Sequence, residues 1–142
     1  MREVLLDMLH CYGLKEVFGP EHNPAIIEMF KEIGYDWIDT DETPWCGAAL
    51  NYFCKRNGYE RSGKIDARSW LKLTVKVINP QLGDIVVLWR KSPSSWEGHV
   101  GLYISSNENY IYVLGGNQEN MIGINPYLKS RVLGYRQSKK LI

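Results

Sequence analysis

The sequence predicts an α+β domain in which amino-terminal helices pack on a carboxyl-terminal antiparallel sheet. Two changes of pattern carry that prediction. Apolar residues recur at helical spacing in the first half of the chain, and β-branched and aromatic runs punctuated by Gly and Asn take over after Asn79-Pro80. A third observation sets the scale: 142 residues with 44% apolar side chains can bury one sizeable core and are too few for two ordinary domains. A single domain over residues 1–142 is therefore expected, with no internal repeat or linker.

Val4, Leu5, Met8, Leu9 and Tyr12 share one helical face, and Gly13 falls where a carboxyl-terminal cap belongs. Asn23-Pro24 supplies a capping side chain and a proline at the first helical position, Ile26, Ile27, Phe30 and Ile33 form the apolar face, and Gly34 ends the second helix. A third helix starts near Cys46, runs through Ala49, Leu50 and Phe53 to about Asn57, and stops at Gly58. Residues 66–70 add one short turn. Strands are expected at 84–89, 99–105, 110–114, 121–125 and 131–136, with Ser106-Asn107-Glu108-Asn109 as a hairpin turn between the second and third.

Composition removes several classes of function. Seventeen basic and 16 acidic residues leave a net charge of +1, so no global field argues for nucleic acid or an anionic membrane. No apolar run approaches the roughly 20 residues of a membrane span, so no stable membrane insertion is expected. The first seven residues place acids inside what would be a signal's apolar core, which implies synthesis in the cytoplasm without a signal peptide. Three cysteines are an odd, poorly spaced set for a disulfide framework, and at least one thiol should be free. His10, Cys11 and His22 match no common zinc spacing, no acid pair suits glycosidase chemistry, and no glycine-rich phosphate loop precedes a helix. Neither metal nor cofactor is expected.

The chemistry concentrates where residues 41–45 lead into the third helix at Cys46. Unpaired amides and the helix dipole favour a thiolate there, and its pKa is expected to fall below the reference of about 8.5. His99, which opens a strand, is the candidate to hold the thiolate as an ion pair and later protonate a leaving amine. Asn117, after Gly115-Gly116, is the candidate to fix the imidazole tautomer, ahead of Glu119. Cysteine, histidine, then an amide is the chain order of a papain-type site. The Cys46 backbone amide can donate to the oxyanion of a tetrahedral intermediate.

Each candidate has a plainer competitor. A lone cysteine is more often core than catalyst, and Cys11 and Cys54 are read as packing. A histidine opening a strand is commonly a polar edge residue, and Asn117 after two glycines equally suits a turn that demands its backbone conformation. Trp45 and Trp96, sequence neighbours of the candidate site, are expected near substrate, whereas Trp70 and Trp89 are expected in the core. Arg131, Arg136, Lys139 and Lys140 read as a solvated edge or as a contact for anionic cell-wall polymers.

Four segments together resemble the NlpC/P60 and CHAP superfamily of cell-wall hydrolases: Pro44-Trp45-Cys46-Gly47-Ala48, residues 80–87 around Gly83-Asp84, Gly98-His99-Val100-Gly101, and Leu114-Gly115-Gly116-Asn117-Gln118. The Trp-Cys and Gly-Gly-Asn-Gln motifs are similar to its phage endolysin-like branch, and so is Glu16-Val17-Phe18-Gly19-Pro20 followed by Asn23-Pro24. The resemblance covers nearly the whole chain. It implies a papain-like core in which Cys46 attacks a peptidoglycan amide, His99 is base and then acid, Asn117 orients His99, and Trp45, Trp96 and Gln118 bind substrate. Asp84 is then a structural residue of the turn entering a central strand. Ala49 departs from the pattern, in which an aromatic often follows the Cys-x-Ala part, and leaves less volume beneath the nucleophile.

The implied activity is that of an N-acetylmuramoyl-L-alanine amidase or a stem-peptide endopeptidase acting on bacterial peptidoglycan after release or delivery to the wall. An endolysin would depend on a holin for passage. The alternatives are an antibacterial toxin with a cognate immunity protein, and a catalytically silent wall-binding module.

Overall fold

A computed structural model describes residues 1–17, 22–39 and 44–141. The Phe18-Gly19-Pro20 part of the upstream motif and the residue 41–43 approach to Cys46 lie outside the described residues. Three helices, α1 (Arg2–His10), α2 (Pro24–Glu32) and α3 (Cys46–Arg56), and a short 3-10 segment (Ala67–Lys72) precede the main sheet. Six strands follow: β1 (Val75–Val77), β2 (Ile85–Trp89), β3 (Gly98–Ser106), β4 (Tyr110–Gln118), β5 (Met121–Leu128) and β6 (Val132–Gln137). They form one sheet in the order β1-β6-β2-β3-β4-β5, and every pairing is antiparallel.

The α+β architecture agrees with the sequence pattern, and its departures have local causes. Helix α1 ends at His10, two residues before Tyr12, and Tyr12 is exposed; Leu9, within the helix, is exposed as well, while Val4, Leu5 and Met8 are buried. The second helix starts as expected, with Asn23 Oδ1 accepting from the Ala25 amide at 2.9 Å and Pro24 at the first position. Strand β1 has only three residues, Val75-Lys76-Val77, too short a run for its alternation to announce it; its pairing with β6 creates it. Strand β4 runs four residues past Leu114 and β5 three past Asn125, because each supplies the other's ladder. Trp70 is in the core, but Trp89 is only half-buried, with Arg131 stacked on its ring at 5.0 Å. Its place at the end of β2 accounts for the correction.

Helix α3 is the hub. Eight of its eleven residues are buried, and it packs on α2 to one side and on β3 and β4 to the other. One face of the sheet contributes Ile85, Val87, Val100, Leu102, Leu114 and Ile122 to this helical core. The opposite face carries a smaller cluster of Val86, Leu88, Ile111 and Val113. Asp84 Oδ2 accepts from the Gln81 amide at 2.8 Å, closing the turn into β2, in keeping with a structural role.

Candidate active site

Cys46 is the first residue of α3, and a buried cleft wall forms around it. Gly47, next in line, lies so close to the loop before the 3-10 segment that a Cβ there would overlap the Ile65 carbonyl. Asn51, one turn further along α3, holds that loop from within: its amide nitrogen donates to the Gly47 carbonyl (2.9 Å) and the Lys64 carbonyl (2.8 Å), and its oxygen accepts from the Gly63 amide (2.8 Å). The result is a cleft of about 230 Å³ lined by Pro44 and Cys46, by Ile65, Asp66 and Ala67, and by Arg90, Trp96, Glu97 and Gly98 from the β2–β3 connection. Arg68 fixes that connection. Its guanidinium donates to the carbonyls of Glu97 (2.8 Å), Pro93 (2.7 Å) and Ser92 (2.9 Å).

His99 is buried and pairs across the ladder with Leu88, so it lies on the sheet face of the smaller cluster. Its Nε2 meets Gln118 Oε1 at 2.7 Å. The orientation of that amide is settled by its other end, because Gln118 Nε2 faces three acceptors: the carbonyls of Val113 (3.0 Å) and Gly123 (2.6 Å), and Asn125 Oδ1 (3.0 Å). The oxygen must therefore point at His99, which makes His99 Nε2 the protonated nitrogen and leaves the Nδ1 lone pair free. Nδ1 is buried and has no hydrogen-bond partner among the described residues. Tyr127 stacks on the ring with centroids 5.3 Å apart.

The amide that meets the imidazole is thus Gln118, where the sequence reading put Asn117 in that place and Gln118 against substrate. Uninterrupted alternation along β4 would carry the face of Ile111 and Val113 on to Asn117. The register shifts between Gly115 and Gln118, with Asn117 in the left-handed region at φ +58°, and the phase moves on by one residue. Asn117 is the turn residue of the plainer reading. The two glycines serve opposite faces. A Cβ on Gly115 would sit 3.1 Å from Gln118 Oε1 and 3.3 Å from His99 Nε2, and one on Gly116 would sit 2.7 Å from the Trp45 ring and 3.0 Å from Ala49 Cβ. The small Ala49 lets β4 approach α3 at Gly116.

Trp45 is fully buried, with its Nε1 donating to Glu16 Oε1 at 3.0 Å. It supports the nucleophile's helix from behind and is not positioned to touch substrate, contrary to expectation. Trp96 is 78% exposed and lines the cleft. Glu119 is exposed and in the left-handed region at φ +52°. Among the described residues no three His, Cys, Asp or Glu side chains cluster as a metal site requires, and no helix is long and apolar enough to cross a membrane.

Electrostatics also depart from expectation. Burial raises the Cys46 thiol above its ordinary pKa, outweighing the Val100 backbone amide, Arg90 and the amides of Gly47 and Cys46, which act the other way. Burial lowers His99 to about 4, with the Gln118 contact opposing and Arg90 reinforcing the shift. Helix-terminus stabilisation is outweighed by desolvation, so the resting pair is a neutral thiol and a neutral imidazole in place of the expected ion pair.

A buried cysteine thus opens a helix that packs against a sheet, and a strand of that sheet carries a histidine held by a buried amide. The chain matches a crystal structure from Staphylococcus aureus subsp. aureus Mu50 described as similar to lipoprotein, NLP/P60 family, with a TM-score of 0.56 and 18% identity over 95% of this chain. Its fold is the NlpC/P60 fold. The chain spans 40% of the length of that staphylococcal protein. Neither a family model nor a curated protein matches the sequence. In the NlpC/P60 fold seen here, the features missed by sequence reading are Gln118 as the imidazole's partner, Asn125, Tyr127, Asn51 and Arg68. The bulge that selects Gln118 has a visible trace in the run Gly-Gly-Asn-Gln-Glu-Asn, whereas Arg68 and Asn51 act over distances in sequence that carry no pattern.

Proposed function

We propose that the protein is a cysteine-dependent hydrolase of peptidoglycan amide bonds, an N-acetylmuramoyl-L-alanine amidase or stem-peptide endopeptidase of the endolysin type. The observation that carries this reading is a buried imidazole with one nitrogen committed to Gln118 and the other, Nδ1, without a hydrogen-bond partner among the described residues. In support, the Val100 amide, next in sequence to His99, and Tyr127, stacked on the His99 ring, both interact electrostatically with Cys46.

In this mechanism Nδ1 takes the thiol proton as Sγ attacks the amide carbon, so charge develops only as the bond forms. The Cys46 backbone N–H, in the first turn of α3, donates to the oxyanion. Collapse of the tetrahedral intermediate transfers the Nδ1 proton to the leaving amine, and water then hydrolyses the thioester with Nδ1 again as base. Gln118 stays a hydrogen-bond acceptor throughout and stabilises the imidazolium that forms transiently.

The test is mass spectrometry of the soluble products of purified sacculi treated with wild type and with Cys46→Ala. Free stem peptides beginning with L-Ala identify an amidase, and fragments cut between stem residues an endopeptidase. Identical products from the two proteins, on thin-walled and thick-walled sacculi alike, would sink the reading in favour of a silent wall-binding module.

A further inference from the structure

The cleft beside Cys46 is apolar on most of its wall, through Pro44, Ile65, Ala67 and Trp96. Its charged lining is unevenly matched. Glu97 is paired with Lys91 at 3.3 Å. Arg90 makes no ion pair and no side-chain hydrogen bond among the described residues, although Asp66 lines the same cleft. Its backbone is held, since the Arg90 amide donates to the Glu97 carbonyl at 3.3 Å and closes the base of the loop that Arg68 clamps. The Arg90 charge also acts on Cys46, which lines the same cleft, and on His99 and Tyr127. A guanidinium on a fixed backbone, lining a mostly apolar cleft and without an ion-pair partner among the described residues, is suited to a two-pronged hydrogen bond with a planar anion.

Resting on the hydrolase reading for its choice of peptide, we propose that Arg90 is the specificity-determining residue of the cleft and binds a free carboxylate on the residue flanking the scissile amide. The substrate class is then an anionic peptide, and an otherwise identical peptide whose carboxylate is amidated is a poor one.

Two measurements test this and separate it from the hydrolase reading. The first compares the rates at which iodoacetate and iodoacetamide alkylate Cys46, located by peptide mapping, in wild type and Arg90→Gln. The two reagents differ only in carrying a carboxylate or an amide. The iodoacetate-to-iodoacetamide ratio is expected to fall about tenfold in the variant, the scale of one charge-assisted hydrogen bond; an unchanged ratio overturns the proposal. The second compares kcat/KM on stem peptides with the free and the amidated carboxylate. Wild type is expected to favour the free form about tenfold, mainly through KM, and Arg90→Gln to lose the preference. Equal turnover of both peptides by wild type also overturns the proposal. If sacculi and peptides are not cut at all, the hydrolase reading fails, and the alkylation ratio still decides whether Arg90 is an anion-binding group.

Discussion

Gln118 and Asn117 are adjacent amides with opposite fates, and single substitutions separate them. Gln118→Ala removes the acceptor that fixes the His99 tautomer and strands a buried imidazole N–H, so kcat is expected to fall by about tenfold to a hundredfold. Asn117→Ala is expected to leave kcat within about threefold and to cost about 1 kcal/mol of stability in urea unfolding, for a left-handed backbone without the residue type that tolerates it. The reverse ranking would return the orienting role to Asn117. The proposed site is legible in the sequence at Cys46 and His99, whose identities and chain order suggest their chemistry. It was not legible at the third residue, because a two-residue periodicity extrapolates to Asn117 and only the bulge between Gly115 and Gln118 changes the phase. The pKa directions were likewise hidden, since a helix start is visible in sequence and the degree of desolvation around it is not. A neutral resting thiol predicts that iodoacetamide labels Cys46 with a pH midpoint above that of an ordinary exposed thiol. A midpoint below it would mean the thiolate is stabilised after all.

Among the elements, the three helices and the main strands follow from spacing and caps, while the ends of β4 and β5 follow from each other. Gly115 and Gly116 show how one strand serves two surfaces. Gly116→Ala drives a methyl to 2.7 Å from the Trp45 ring and is expected to cost about 1–3 kcal/mol in chemical denaturation. Gly115→Ala asks the His99–Gln118 pair to give by a few tenths of an ångström, so activity should fall by more than stability does. Arg68→Ala releases three carbonyls of the β2–β3 connection at once. Faster amide exchange across residues 92–97 and a raised KM with kcat nearly unchanged are the expected results; exchange at the wild-type rate would show that the clamp is redundant.

At the scale of the whole molecule, acid should destabilise the protein in two stages. His99 ionises at about 4 when folded and about 6.5 when unfolded. The unfolded chain therefore binds the extra proton first, and stability falls as pH drops from about 6.5 to 4, by at most about 3 kcal/mol. Glu3 is held down to about 2 by its hydrogen bond from Tyr59 and its contact with Lys140, which join α1 to the carboxyl-terminal segment, and its contribution is lost below about 4.5. Urea titrations of wild type and His99→Gln from pH 7.5 to 4 test the first stage: the variant should show a shallower decline, and parallel curves would exclude His99 as the cause.

The strand order bears on how the proposed activity would be lost. Asn125 and Tyr127, which hold the far end of Gln118 and the face of His99, sit on β5, the last strand of the sheet. Residues 13–15 cover the outer side of β5 only as far as Ile122. Beyond it, among the described residues, no strand guards the margin, and a sheet margin is where partial opening is easiest. Catalytic competence would therefore be the more fragile property: under gradual denaturation turnover should fade while the helical signal persists, so that the protein passes through a folded but inert form before it comes apart.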